Sequence, residues 1–414
     1  MNPWSFEYSY RSLPSEFFRD ASPESFANPR VCLWNSELAN QLDFPEVLTD
    51  DSIAKSFLGQ PWRAPTQPLA QAYAGHQFGH FTILGDGRAV LLGERLLETG
   101  DRVDLQLKGS GRTPFSRRGD GRAALGPMLR EYLVSEAMHG LGIPTTRSLA
   151  VLSTGESVHR SSMEPGAVLV RVAASHLRVG TFEFAGATDG ARLIPPLIRY
   201  ALDRHPTRCS DEGNPALTLF DGVLARQRAL IVEWMRVGFI HGVMNTDNMA
   251  ISGETIDYGP CAFMDRFHPQ QVFSSIDEQG RYAFSQQPVI AQWNLARFAE
   301  ALLEFFGPTT ADAIEIAEER LNQFSEDFQA DWMTMMLAKI GLSNHPSHAV
   351  LVHELLDWMT ASRADFTNTF RGLSKRLGQP QEADHPSFQA WQTRWRTALQ
   401  NEGNSLETTE MTMN

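Results

Sequence analysis

The chain has 414 residues, and its 36 Lys and Arg against 49 Asp and Glu leave a formal net charge of −13 at pH 7. That balance argues against a general nucleic-acid coat, while 42% hydrophobic and 10% aromatic residues can fill a large core, which excludes disorder along most of the length. The length suits two or three domains. No apolar run approaches the roughly 20 residues that cross a bilayer, and the start from Met1 to Phe17, with Glu7 and Glu16 among aromatics, is expected to be neither a signal nor a transit peptide. Cys32, Cys209 and Cys261 lie far apart without a CxxC pair, so a reducing, cytoplasmic setting is expected, with neither membrane nor nucleic acid as a partner.

Through residue 80, Pro3, Pro14, Pro23, Pro29, Pro45, Pro61, Pro65 and Pro68 interrupt every periodic stretch. An N-terminal extension wrapping the core, with short elements, is expected over 1–80. From Gly85 to Gly111 the pattern becomes strand and turn: Gly85-Asp86-Gly87 precedes the apolar run Ala89–Leu92, and then Val103, Leu105 and Leu107 alternate with Asp104, Gln106 and Lys108. Strict alternation puts Lys108 on the polar face beside Gln106. Leu125, Met128, Leu129, Tyr132, Leu133 and Met138 recur at helical spacing before Gly140, Gly142 and Pro144, and this helix carries Glu131. Strands follow at Ser148–Leu152 and Ala167–Ala173, the second with Val168, Val170 and Val172 on one face and Arg171 on the other.

Beyond Pro215, apolar residues at three- and four-residue steps predict helices over Phe220–Val237, Val289–Phe306, Thr310–Ile340, Ser347–Gly372 and Ser387–Leu399. The fold class is therefore α+β, a two-lobed layout with a small β-rich N-lobe over 81–214 and a larger helical C-lobe over 215–400. The polar stretch 401–414 reads as a disordered tail.

Several residues could do chemistry. Asn248 and Asp257, nine positions apart, are either oxygen donors for a hard divalent cation facing phosphates or a turn residue and a cap. Upstream come a glycine-rich turn, Lys108 at a strand end and Glu131 on a helix, the parts with which kinase-like folds neutralise a nucleotide. Their order, ending in His241-Gly242, Asn248 and Asp257-Tyr258-Gly259, is harder to obtain by accident than any one part. In kinase-like phosphotransferases an Asp follows the His-Gly pair, and here Val243 stands there. A valine accepts no proton, so ordinary phosphoryl transfer is compromised, and Asp247 is the nearest carboxylate that could replace it. Arg112, Arg117, Arg118 and Arg122 read as a solvated basic rim, whereas Arg171, inside an apolar strand, needs an anionic partner if its face is enclosed. His76 and His80 have the spacing of a zinc pair, but Gln77 replaces the usual base and Gly75 and Gly79 oppose a helix, which argues against metal there.

Four blocks, Ala72–Ala89, Gln106–Ala150, Leu169–Phe184 and His241–Asp265, resemble the selenoprotein O family, protein adenylyltransferases with a pseudokinase fold, and the resemblance spans nearly the whole chain up to the tail. It implies a kinase-like fold in which ATP binds reversed, so that its α-phosphate faces the acceptor and AMP passes to Ser, Thr or Tyr hydroxyls of proteins, redox proteins among the candidates. Residue by residue, it implies that Gly85, Gly87 and Arg88 contact the nucleotide. Lys108, Asp120, Gly121, Arg171 and Arg178 would hold phosphates, with Glu131 as the partner of Lys108. Asp247 would be the proton acceptor, and Asn248 and Asp257 the Mg²⁺ ligands, with Asp257 also at the nucleotide. Other readings are uridylyl transfer from UTP with Mn²⁺ and a non-catalytic nucleotide-binding scaffold. Members of the family usually carry a selenocysteine or cysteine near the C-terminus, and this sequence has no cysteine after Cys261, which puts redox control through such a residue in question.

Overall fold

The structure, a computed structural model, describes residues 6–44, 49–59, 66–207, 213–376 and 386–402. Cys209, Pro3, Pro45, Pro61, Pro65 and the expected tail beyond Glu402 lie outside the described residues. By contact density the chain divides into two compact units, one of residues 1–226, 245–259 and 294–319, the other of 227–244, 260–293 and 320–414.

The first unit is built on a sheet of β1 (Phe18–Asp20), β2 (Arg30–Trp34), β3 (Leu69–Gln71), β6 (Ala89–Leu96), β7 (Arg102–Lys108), β8 (Ala123–Ala124), β9 (Arg147–His159) and β10 (Met163–Ala173), with β4 (Ala74–Gln77) and β5 (His80–Ile83) forming a separate hairpin. The sheet runs β1-β3-β6-β7-β10-β9-β2, with β8 on β10. Both ends of that order come from the first 34 residues of the chain.

Alternation along β7 and β10 sorts the two faces as the sequence suggests. Leu105, Leu107, Val168, Val170 and Val172 point to one side, where they pack with Leu38 of α1 (Ser36–Gln41), Ile53 of α2 (Asp50–Ala54) and Phe57 just beyond it. The other side receives Gln106 opposite Arg171 and Lys108 opposite Leu169. α3 (Leu125–Gly140) covers that side through Met128, which packs with Val151 and Leu169. Its Glu131 is thus turned toward the sheet, only 2% exposed.

Sequence periodicity did not reveal α4 (Val179–Arg204), which contains Gly180, Gly186, Gly190, Pro195 and Pro196 and is broken at Asp189, where φ is −164° and ψ 78°. Burial of Phe182, Leu193, Ile194, Leu197 and Ile198 outweighs those weak helix formers. The element order is that of an α+β protein, sheet-rich as far as Ala173 and largely helical from Val179 onward.

α5 (Pro215–Val237), α6 (Gln287–Leu302), α7 (Thr310–Lys339), α8 (Ala349–Ser362), α9 (Phe366–Arg376) and α10 (Pro386–Glu402) follow, with the short pair β11 (Phe239–Ile240) and β12 (Ala262–Phe263) between the first two. The single helix expected over Ser347–Gly372 is two helices, because Arg363 takes a left-handed φ of 54° and ends α8. In the second unit, Phe388, Trp391 and Trp395 of α10 stack in sequence, and the Trp395 indole donates to the Ile340 carbonyl at 2.7 Å. Among the described residues, no helix is long and apolar enough to cross a membrane.

Candidate active site

Within the first unit, five side chains from four stretches of sequence form one buried ionic network. Lys108, the last residue of β7, donates from Nζ to Glu131 Oε2 at 2.7 Å and to Asp257 Oδ1 at 2.6 Å. Arg171, opposite Gln106 on β10, spans the same two carboxylates, bonding Glu131 and reaching Asp257 Oδ1 at 2.6 Å. Arg178 takes the other oxygen, Asp257 Oδ2, at 2.7 Å. All three cations therefore converge on Asp257.

Local structure sets each partner. Arg178 immediately precedes α4, where its backbone N–H donates to the Thr181 hydroxyl at 3.1 Å, and its guanidinium lies 4.7 Å from the centre of the Tyr73 ring. Asp257 sits at a left-handed φ of 63°, a conformation few residues other than Gly, Asn and Asp adopt readily. No strand leads directly into it among the described residues. Two isolated bridges, Arg178 to Ala250 and Thr145 to Thr255, anchor the segment instead.

The electrostatics follow from burial opposed by pairing. Burial alone would raise Asp257, but Arg171, Lys108 and Arg178 outweigh it and hold the carboxyl well below the usual range. Glu131 is likewise lowered, with burial overcome by Arg171 and Lys108. Burial pulls Lys108 down. Asp86 responds differently: burial pushes it up to about 6, against Arg178, although it accepts from the Gln71 backbone N–H at 3.1 Å and from the Gln106 amide at 3.3 Å.

Arg178 also joins this network to the loop of Asp247, because its Nη1 donates to the Asp247 carbonyl at 2.6 Å. Asp247 and Asn248 lie in a single 3-10 turn, Thr246–Asn248, and the β4–β5 hairpin presses on that turn. The His76 N–H donates to the Thr246 hydroxyl at 2.7 Å, and the Phe78 N–H to the Asn245 side-chain carbonyl at 3.1 Å. Gly75 is obligatory, since a Cβ there would lie 2.3 Å from Asp247 Oδ1. Burial pushes the Asp247 carboxyl up to about 6 against the pull of Arg178.

Beside this loop lies a cavity of about 370 Å³ lined by Gly85, Gly87, Arg88, Asp120, Gly121 and Asp247, together with Tyr73, Gln77 and Arg122. Asp120 is lowered first by its ion pair with Arg160, at 2.8 Å. Gly121 has a φ of 70°, and a Cβ there would come within 2.0 Å of the Gly111 carbonyl oxygen, so the 109–122 loop closes on itself only with glycine. The candidate residues thus form two linked sets. Lys108, Glu131, Arg171, Arg178 and Asp257 are in direct contact, whereas Gly85, Gly87, Arg88, Asp120, Gly121 and Asp247 line the cavity. Asn248 follows Asp247 in the turn, its N–H donating to the Asn245 carbonyl at 2.9 Å. Sequence reasoning missed Tyr73, and it read Asp86 merely as part of a turn. Arg122, read as solvated rim, bonds Glu24 at 2.8 Å and Glu156 at 2.7 Å.

A divalent cation fits this donor set on conditions. Asn248 and Asp257 are hard oxygen donors, and two protein ligands suffice for Mg²⁺, which keeps several waters. Among the described residues no cluster of three or more His, Cys, Asp or Glu is placed to hold a metal. Asp257 already carries three cations, so a further positive ion is electrostatically acceptable only together with phosphate oxygens.

Residues 2–413 match the family described as protein adenylyltransferase SelO. The chain is 55% identical over 401 residues to protein nucleotidyltransferase YdiU of Brevibacillus brevis, covering 96% of this chain and 81% of that one. It is 53% identical over 402 residues to the protein of the same name from Halalkalibacterium halodurans, and 52% over 400 residues to that from Nitrosococcus oceani, each covering 96% of this chain and 81% of the relative. A likeness to ROP2 from Toxoplasma gondii, described as a virulence factor with a protein-kinase fold and no enzymatic activity, has a TM-score of 0.31 at 9% identity, over 80% of this chain and 87% of that one, and carries no argument. With a match along nearly its whole length, the chain belongs to the protein adenylyltransferase SelO family and is a nucleotidyltransferase.

Proposed function

We propose that the protein transfers AMP from ATP to a Ser, Thr or Tyr hydroxyl of another protein in the cytoplasm, with the nucleotide reversed relative to kinases and Mg²⁺ as its metal. The observation that carries this reading is the double role of Arg178. It binds Asp257 in the ionic network and the Asp247 carbonyl in the neighbouring loop, so phosphate-binding charge and a carboxylate base are held in one piece. Val243 leaves the usual kinase position without a base, which favours Asp247.

In this reading Lys108, Arg171 and Arg178 exchange part of their pairing with Asp257 for phosphate oxygens, and Arg forks grip the terminal phosphates bidentately. Glu131 keeps Lys108 and Arg171 in place. Arg88 and the backbone of Gly85 and Gly87 border the rest of the nucleotide, and Gly121 shapes the loop that carries Asp120. Asp247 accepts the proton of the attacking hydroxyl as its oxygen bonds the α-phosphorus and pyrophosphate departs. Mg²⁺ held by Asn248 and Asp257 supplies charge neutralisation for the phosphates when bound.

Incubation with α-labelled ATP, γ-labelled ATP and α-labelled UTP tests this directly. Label on protein from α-ATP alone is expected. Label from γ-ATP alone rejects nucleotidyl transfer, and a preference for UTP with Mn²⁺ replaces AMP by UMP.

A further inference from the structure

A second cavity, of about 440 Å³, lies in the same unit on the far side of the β4–β5 hairpin from Asp247, bounded by His76, Phe81, Glu183, Asp189, Arg297 and Glu304 among others. Its lining holds four carboxylates, Glu183, Asp189, Glu300 and Glu304, against one guanidinium, Arg297. Arg297 is already paired with Glu300 at 2.6 Å and Asp189 with Arg192 at 2.9 Å. The decisive group is Glu183, 6% exposed. Its Oε1 bonds the His76 ring and the Thr246 hydroxyl lies near the carboxylate, but no donor stands in hydrogen-bonding geometry at Oε2, which is buried. A buried carboxylate oxygen left in that state is costly unless a donor completes it. Phe81, 44% exposed on the hairpin, adds an aromatic face at the rim.

This cavity adjoins the proposed reaction centre through a single strand. Successive side chains of a strand point to opposite faces: His76 lines the acidic cavity, while Gln77 lines the nucleotide-side cavity beside Asp247. We propose that the acidic cavity is a subsite for a basic side chain, Lys or Arg, of the acceptor protein, its cationic head completing Glu183 Oε2 among the surrounding carboxylates while a nearby hydroxyl of the same segment meets Asp247. The placement of the hydroxyl rests on the reading of Asp247 above. The pocket's preference for a cation does not.

Two measurements on the whole protein test it. Titration with agmatine, a small guanidinium-bearing amine, reads the pocket without any transfer reaction. Saturable binding, weakened about tenfold in the exposed-site double variant Glu300→Gln, Glu304→Gln, is expected. No binding, or equal binding to the variant, overturns the proposal. Serine peptides carrying Arg or Ala at each flanking position then read the acceptor. A kcat/KM ratio favouring Arg about tenfold at one or two positions, falling toward one in the double variant, is expected, and a ratio indifferent to the variant overturns the assignment to acceptor recognition. If no peptide or protein is modified at all, nucleotidyl transfer through Asp247 fails, and the agmatine titration still decides the pocket.

Discussion

Lys108 Nζ meets Asp257 Oδ1 at 2.6 Å across 149 residues of sequence. Because Arg171 and Arg178 join it there, Asp257 is saturated by positive charge. Mg²⁺ offered alone should therefore bind weakly, and Mg²⁺ offered with a non-hydrolysable ATP analogue should bind at least about tenfold more tightly, since phosphates draw the three cations away. Calorimetric titration with and without the analogue measures this, and equal affinity in both would refute the charge argument.

Arg171 is 1% exposed and neutralises the buried Glu131 and the partly buried Asp257 at once. Arg171→Ala should cost about 3–5 kcal/mol of stability, because Glu131 and Asp257 are left with unbalanced charge. Urea denaturation provides the number. A loss below about 1 kcal/mol would mean that water reaches the network.

Gly75 tests the placement of the base. A Cβ at this position would lie 2.3 Å from Asp247 Oδ1, so Gly75→Ala must displace the carboxylate or the hairpin. A fall in kcat of about 100-fold is expected from such a misplacement, with a much smaller change in nucleotide affinity, because the added methyl meets the Asp247 side chain and not Lys108 or the arginine side chains. Single-turnover transfer and nucleotide titration on the same variant separate the two.

Acid sensitivity should come partly from His205, whose Nε2 lies 2.6 Å from the Ser175 hydroxyl. Burial first, then Arg204 and Arg226, lower it to about 3. An unfolded histidine titrates near 6.5, so between those values the unfolded chain binds the extra proton and stability falls as pH falls. The loss between pH 7 and pH 5 is about 2 kcal/mol. His205→Gln should flatten that part of the profile in denaturation series at several pH values. An unchanged slope would show that the histidine takes up its proton in the folded state.

Much of this site can be read in the sequence where a short period governs. Two-residue alternation in β7 and β10 places Lys108 and Arg171 on the face away from the leucines and valines, and helical spacing in α3 locates Glu131. What alternation does not show is that the polar face is enclosed: Gln106 and Asp104 are as buried as the leucines opposite. The assignment of individual roles to Asp120 and Arg178 came from family resemblance, since no local pattern distinguishes them, whereas Asp247 stood out as the carboxylate nearest the position that Val243 leaves without a base. α4 escaped notice because its glycines and prolines resemble loop, and only long-range burial makes it helical. Asp86 escaped for a related reason. A Gly-Asp-Gly turn looks the same whether its carboxylate faces water or, as here, Gln71 of β3 and Gln106 of β7, the strands on either side of β6.

The strand order has a consequence for biosynthesis. β1 and β2, which precede the other strands of the sheet in sequence, occupy its two outermost rows, and their neighbours β3 and β9 lie about 50 and 120 residues further along. Neither early strand has anywhere to dock until those later segments have emerged, so the nascent chain must keep them unpaired for much of its synthesis, and closure of the sheet by such distant pairings should be a slow step of folding.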